Sequence, residues 1–370
     1  MLQIMIRPDI HVCADSRSFA EQFGLGARDL VFTNRCIYEP FFGRLEIRPQ
    51  LLFQEDFGAG EPTDIMLDAV LGRIRSLSFD RIVAIGGGTV LDMAKILGIA
   101  RPGERFADIA ARPLPDKSEK TVILVPTTCG TGSEVTNIAI VNHTALQVKK
   151  GLVCNGMYAS AAVLVPELLR FLPYKVFATS SLDALVHAVE SFLSPNATMY
   201  SRMFSEKALS MIIAGYRTMV EKGVAPSELM GDFLMAANCA GIAFGTAGCG
   251  AVHAMSYPLG ATHHIPHGES NYSVFMGVLD CYRQSGGTSM DELERALAAS
   301  LDVEPARALE TLGELLLHVL PLKTLHEYGM KREECAAFAG TVMETQQRLL
   351  RNVPVPMTVE DMTRVYEKLF

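Results

Sequence analysis

Arg81-Ile82-Val83-Ala84-Ile85-Gly86-Gly87-Gly88-Thr89-Val90-Leu91-Asp92-Met93-Ala94-Lys95 passes from a β-branched run, through three glycines, into apolar residues at helical spacing. A strand followed by a tight glycine turn and a helix lets backbone come close to a ligand. It also aims free N–H groups and the positive end of the helix dipole at one point, which suits a diphosphate. The plain alternative is a β-to-α turn with no ligand, and the run is not the Gly-x-Gly-x-x-Gly dinucleotide fingerprint. Gly86, Gly87, Gly88 and Thr89 are therefore candidate cofactor contacts, with Asp92 a weaker one.

The same alternation extends on both sides. Leu30–Thr33, Val122–Val125 and Ala162–Val165 read as further strands, and Thr63–Leu77 and Val90–Ala100 as helices. Strands separated by helices predict a parallel sheet covered on both faces. After the strand at 122–125 comes Pro126-Thr127-Thr128-Cys129-Gly130-Thr131-Gly132-Ser133-Glu134-Val135-Thr136. It carries hydroxyls and flexible backbone to the edge where open α/β sheets bind ligands. Two phosphate-competent loops after successive strands are a stronger signal than either alone.

Strand signals stop after about Pro166. Ala178–Leu193, Tyr200–Lys222, Glu228–Gly245, Asp291–Leu301, Pro305–Leu320 and Met357–Phe370 all read as helices. The expected organisation is an α/β dinucleotide-binding domain over residues 1–175 and an all-α metal-binding domain over residues 176–370. A net charge of -8 argues against a nucleic-acid or anionic-membrane surface. Phe233–His253 has no fully charged residue and could span a bilayer by length, but its Gly, Ala, Cys and Asn content favours a buried helix. Eight scattered cysteines with no Cys-x-x-Cys pair and no secretory leader predict reduced thiols in a cytoplasmic protein.

Asp183 and His187 lie one helical turn apart on the same face, a pairing that by itself more often salt-bridges than binds metal. The weight comes from a second cluster: four of the nine histidines, His253, His263, His264 and His267, fall within fifteen residues. One carboxylate and three imidazoles would leave a divalent ion with a net charge near +1, a useful Lewis acid for an alcohol or carbonyl oxygen. Iron(II) and zinc both suit such donors. The competing reading is a set of core histidines satisfied by hydrogen bonds.

Taken together these segments resemble the iron-containing alcohol dehydrogenase family, over nearly the whole chain. Gly86–Thr89 is similar to the family's Gly-Gly-Gly-Ser turn, and Pro126–Thr136 to its Thr-x-Gly-Thr-Gly-Ser-Glu-Val-Thr loop. Asp183-Ala-Leu-Val-His187-Ala-Val-Glu190 is similar to its Asp-Ala-x-x-His-Ala-x-Glu helix, and His253 with Pro266-His267-Gly268 to its last two ligands. The resemblance implies the fold shared with dehydroquinate synthase, metal ligation by Asp183, His187, His253 and His267, and cofactor contacts at Gly87, Gly88, Thr127, Thr128, Thr131, Ser133 and Lys149. It also implies NAD as cofactor, with NADP open, a divalent ion (iron(II) first, then zinc), and a homo-oligomer. Gly241-Ile-Ala-Phe-Gly245, Ala254-Met-Ser-Tyr-Pro258 and His267-Gly-Glu-Ser-Asn-Tyr272 point, within the family, to members acting on a small hydroxy acid. The reaction implied is reversible oxidation of 4-hydroxybutyrate to succinate semialdehyde.

Two departures stand out. Where most relatives have a histidine four residues after the third ligand, this chain has Tyr257, so proton relay through Tyr257, His263 or water is left open. Where many relatives place an acid after the second strand, it has Asn34 followed by Arg35; asparagine can bond a ribose hydroxyl without repelling a 2′-phosphate. His263, His264, Asn271 and Tyr272 are candidates for holding the substrate carboxylate. Rival readings are another short-chain alcohol or aldehyde oxidoreductase, a lyase resembling dehydroquinate synthase, and a non-enzymatic metal- or nucleotide-binding protein.

Overall fold

The computed structural model describes residues 3–145 and 148–370. The chain divides into two compact units, Ile6–Leu172 and Pro173–Phe370, the second joined by residues 3–5. The first residues thus group with the helical unit and not the α/β unit, and Thr198 Oγ1 donates to the Gln3 carbonyl.

Among its described residues the first unit carries eight strands: β1 Asp9–Val12, β2 Asp29–Thr33, β3 Gln50–Phe53, β4 Arg81–Gly86, β5 Thr121–Pro126, β6 Ile138–His143, β7 Val148–Val153 and β8 Ala161–Leu164. Six form one sheet in the order β1-β8-β5-β4-β2-β3, and every pairing in it is parallel. β6 and β7 make a separate antiparallel hairpin that the sequence reading did not anticipate. Leu30, Phe32, Ile82, Ala84 and Leu124 are fully buried under the helices Asp64–Ile74 and Gly88–Ile99. Central strands buried on both faces read as continuous apolar runs, which is why these were legible.

Register places the ligand-competent loops at one edge. Thr33 pairs with Ile85 and Gly86 with Pro126, so β2, β4 and β5 end level with one another. Thr33 Oγ1 donates to the Ile85 carbonyl at 2.7 Å, and Thr127 N–H to the Gly86 carbonyl at 3.0 Å, tying the three ends together. Behind them Lys95 is buried, with its Nζ 2.6 Å from the Ile138 carbonyl and 3.2 Å from Asp92 Oδ1.

The second unit is helical. Helix Tyr174–Leu193 is apolar and long enough to cross a membrane, but 83% of its most apolar window is buried in the protein, as a core helix should be. Helices Met199–Lys222, Met230–Ala247 and His267–Ser285 pack on it. The uncharged stretch read as one buried helix is two, Met230–Ala247 and Ala251–His263, bent by 105°. Gly248 has φ +82°, a conformation that β-carbon sterics disfavour, and it breaks the helix there. Asn352 braces the break by donating to the Cys249 carbonyl at 2.9 Å.

Candidate active site

Three elements of the helical unit bring the acid and the imidazoles together. Asp183, His187 and Glu190 lie on one face of helix Tyr174–Leu193 and are 2%, 5% and 3% exposed. His253 comes from the first turn of helix Ala251–His263, and His267 opens helix His267–Ser285. Gly268 explains why the last helix can begin so close: a Cβ there would stand 2.1 Å from the Thr179 carbonyl oxygen. Only glycine permits that approach, so Pro266-His267-Gly268 is a packing motif as well as a source of a ligand.

Donor atoms of Asp183, His253 and His267 lie within 4.8 Å of one another. The Nε2 atoms of His253 and His267 are each 3.7 Å from Asp183 Oδ1. Asn271 Nδ2 sits among them, 2.7 Å from Asp183 Oδ1, 3.2 Å from His253 Nε2 and 3.3 Å from His267 Nε2. A hydrogen-bond donor ringed by three acceptors marks a position that electrostatics assigns to positive charge. The buried Oδ1 of the same amide has no hydrogen-bond partner among the described residues. One carboxylate and imidazole nitrogens are donors that iron(II) or zinc accepts, so the residues fit a divalent ion.

Glu190 organises the back of the site. Its Oε2 is 2.6 Å from His253 Nδ1, and its Oε1 accepts the Val252 N–H at 2.6 Å. A carboxylate on Nδ1 fixes the proton there and turns the Nε2 lone pair toward Asp183. Gly250 gives Glu190 room, since a Cβ would meet Glu190 Oε1 at 3.2 Å. His187 is placed differently from its expected partners: its Nδ1 is 3.9 Å from Asp183 Oδ2, and its ring stacks between Phe244 and His253. Cys249 joins His187 and His253 in a second cluster.

Charges in the cluster support one another. Burial pulls the Asp183 carboxyl up, but His187, His267 and His253, with the Asn271 N–H, together hold it below its usual value. Burial pulls His187 down, and Asp183 and Cys249 raise it past its ordinary value. The Cys249 thiol, pushed up by burial, is brought down to about 7 by His253 and His187.

The other candidate residues fall in separate places. Tyr257 is 9% exposed, its ring centroid 6.3 Å from that of His267. His263 faces Glu334, its Nε2 3.3 Å from the carboxylate, and Phe338, rather than any member of the triad. Exposed His264 ends its helix at φ 54°. Tyr272 donates to the Leu320 carbonyl, and burial pushes its phenol up to about 12, so it is a structural anchor. Of the four residues considered for the substrate carboxylate, Asn271 alone touches the metal-competent cluster.

At the sheet edge, the N–H groups opening helix Gly88–Ile99 receive no side-chain cap. The two loops interlock: a Cβ on Gly88 would come 2.8 Å from Thr131 Cγ2, and one on Gly87 3.3 Å from Thr128 Cγ2. Asp92 is committed to structure, accepting from Ser133 Oγ at 2.6 Å and from the Ile140 N–H at 2.8 Å. Thr89 Oγ1 donates to the Gly60 carbonyl, and Lys149 pairs with Glu61 at 2.7 Å. Asn34 Nδ2 donates to Gln54 Oε1, leaving its Oδ1 at the end of β2. Arg35 is held by Asp56 at 2.9 Å.

Two family descriptions match most of the chain. Residues 15–166 match "Iron-containing alcohol dehydrogenase" and residues 177–370 match "Fe-containing alcohol dehydrogenase family, C-terminal". The chain belongs to the iron-containing alcohol dehydrogenase family. This dehydrogenase is 42% identical over 372 residues, all of both chains, to 4-hydroxybutyrate dehydrogenase of Clostridium kluyveri. It is 30% identical to long-chain-alcohol dehydrogenase 1 of Geobacillus thermodenitrificans, covering 94% of this chain and 90% of that one. Among solved structures, sulfoacetaldehyde reductase from Bifidobacterium kashiwanohense in complex with NAD+ superposes with a TM-score of 0.86 at 22% identity, covering 100% of this chain and 99% of that one. A 1,3-propanediol oxidoreductase gives 0.85 at 21%, covering all of both. Both have the same fold.

What the sequence reading missed here is the part played by Glu190, Cys249 and Asn271. Glu190 was findable, because it completes an i, i+4, i+7 face with Asp183 and His187. Asn271, one turn after His267, carried the same signal.

Proposed function

We propose that this dehydrogenase interconverts 4-hydroxybutyrate and succinate semialdehyde, passing hydride to and from NAD, with a divalent ion held by Asp183, His253 and His267 and with His187 beside them. The observation that carries the reading is the convergence of one carboxylate and two imidazole nitrogens on a single point, in a chain alike end to end with 4-hydroxybutyrate dehydrogenase. A bound ion there supplies Lewis acidity toward an alcohol or aldehyde oxygen.

The protein's own residues do the rest. Asp183 and the imidazole nitrogens hold the positive charge in place, and Glu190 keeps His253 in the ligating tautomer. The Gly86–Thr89 turn and the Thr127–Ser133 loop hold the cofactor's diphosphate at the uncapped helix N-terminus. Tyr257 is our candidate for the proton path at the site, through its phenol or a water that it orders. Asn34 bonds the adenosine ribose hydroxyl without repelling a 2′-phosphate, so the choice of NAD rests on the family resemblance and NADP is kept in the test below. The reaction balances as 4-hydroxybutyrate and NAD+ giving succinate semialdehyde, NADH and a proton. We place the protein in the cytoplasm, with eight free thiols in support, as a homo-oligomer.

A rate matrix tests this: 4-hydroxybutyrate, butanol and 1,3-propanediol, each with NAD and NADP, on protein of measured metal content. The proposal expects 4-hydroxybutyrate with NAD to exceed butanol in kcat/KM by about tenfold or more, as one ionic contact of about 1.4 kcal/mol gives. Equal efficiency would leave the family reaction and remove the hydroxy-acid substrate.

A further inference from the structure

Asn34 follows β2 without the charge that turns away a 2′-phosphate, so discrimination at the cofactor's 2′ position has to come from its neighbours. The adjacent strand supplies them. β3 runs parallel to β2, with Thr33 paired to Phe53, so Gln54-Glu55-Asp56 leaves the sheet at the same edge as Asn34-Arg35. All of these residues belong to the α/β unit.

Three contacts join the two segments. Asn34 Nδ2 donates to Gln54 Oε1 at 3.0 Å, and the Arg35 N–H donates to Glu55 Oε1 at 2.9 Å. The Arg35 guanidinium donates to both Asp56 oxygens, at 2.9 and 3.1 Å, and lies 4.1 Å above the centroid of the Phe53 ring. Each contact has a consequence for charge. Arginine is the side chain that an NADP site would use, because a guanidinium matches the geometry of phosphate. Here that guanidinium is already engaged by Asp56. Lys149, the other cation considered for the cofactor, is paired with Glu61 at 2.7 Å. Glu55 is exposed, accepts only a backbone N–H, and pairs with no cation among the described residues. Its negative charge therefore stands uncompensated beside Asn34.

We propose that Glu55, reaching across from the end of β3, is the residue that selects NAD over NADP. Its carboxylate repels the 2′-phosphate that Asn34 would tolerate, and Asp56 withholds the arginine that would bind it. The proposal rests on reading this sheet edge as the cofactor site. A phosphate monoester carries a charge of about −1.5 to −2 near neutral pH. Facing one carboxylate at an exposed edge, it should lose about tenfold in affinity. The loss should shrink as salt rises, because ions screen exposed charges.

Calorimetric titration with ADP-ribose and with 2′-phospho-ADP-ribose tests the proposal without turnover. Wild type should bind ADP-ribose more tightly by about tenfold or more. Glu55→Gln keeps an oxygen for the Arg35 N–H and removes the charge. It should bind the phosphorylated ligand about tenfold better than wild type at low salt, with ADP-ribose changed by less than about threefold. Asp56→Asn, which releases Arg35, should also strengthen binding of the phosphorylated ligand, and Glu55→Asp, which keeps the charge, should retain the preference for ADP-ribose. Circular dichroism establishes that each variant is folded. A wild-type protein that binds both ligands equally overturns the proposal, as does a Glu55→Gln protein with the wild-type ratio of affinities. A Glu55→Gln protein that loses both ligands alike assigns Glu55 to structure and also overturns it. A wild-type protein that binds neither ligand overturns the cofactor site together with the proposal.

Discussion

Glutamine at position 190 should weaken the metal centre without emptying the core. The Glu190 carboxylate meets two donors, His253 Nδ1 at 2.6 Å and the Val252 N–H at 2.6 Å. Glutamine has one acceptor and one donor on the same frame. If its oxygen keeps His253, its NH2 confronts the Val252 N–H. If it turns the other way, His253 must move its proton to Nε2 and lose the lone pair that faces Asp183. Either arrangement leaves a buried mismatch of about 1–3 kcal/mol. Losing an outer partner of a ligating histidine typically costs about 10–100-fold in metal affinity, or about 1.4–2.8 kcal/mol. The assay is zinc or cobalt affinity by chelator competition, with Glu190→Asp as the variant that keeps the charge. A Glu190→Gln protein that is folded and binds metal within about twofold of wild type would refute the reasoning.

Gly88→Ala pushes a Cβ to 2.8 Å from Thr131 Cγ2, so it should raise KM for NAD by roughly tenfold while metal content stays unchanged. An unaltered KM would remove this turn from the cofactor site. Asn34→Asp adds a negative charge at the end of β2, and the kcat/KM ratio of NADP to NAD should fall by about tenfold or more; a constant ratio would mean that residue 34 does not face the ribose. Glu104 is paired with Arg112 at 2.6 Å, which, against burial, holds its carboxyl below the usual 4.5. Its folded value is the lower one, so its contribution to stability is complete above 4.5 and is lost as pH falls through the folded value. Glu104→Gln should therefore lower Tm at pH 7, and the difference from wild type should close as the pH drops below 4.5. A gap that persists at low pH would assign the loss to packing.

How much was legible depended on the kind of signal. β2, β4, β5 and β8 each carry an uninterrupted apolar run at their centre, and their order with the intervening helices pointed to the parallel sheet. β1 and β3 lie at the two sheet edges, are four residues long and are half exposed, so they carry neither length nor periodicity. Helix His267–Ser285 was hidden because its first turn, His267-Gly268-Glu269, looks like loop; Gly268 is there for helix contact, not for a turn. Asp183, His253 and His267 lay in the two clusters that the sequence singled out, the family resemblance implied them as ligands, and they converge in space. His187 was readable from the same helix, but its stacking against Phe244 and its cluster with Cys249 depend on a chain break that local pattern does not encode. Asp92 and Ser133 sit in the right loops yet bond to each other, a pairing across 41 positions that only the fold reveals.

The central claim is that one cation sits where Asp183, His253 and His267 converge. Anomalous diffraction at the iron edge, on crystals of iron-reconstituted protein that turns over 4-hydroxybutyrate, locates it directly. The account predicts a single strong peak within bonding distance of Asp183 and both Nε2 atoms. Active crystals with no peak there, or with the ion bound only elsewhere on the chain, would contradict it.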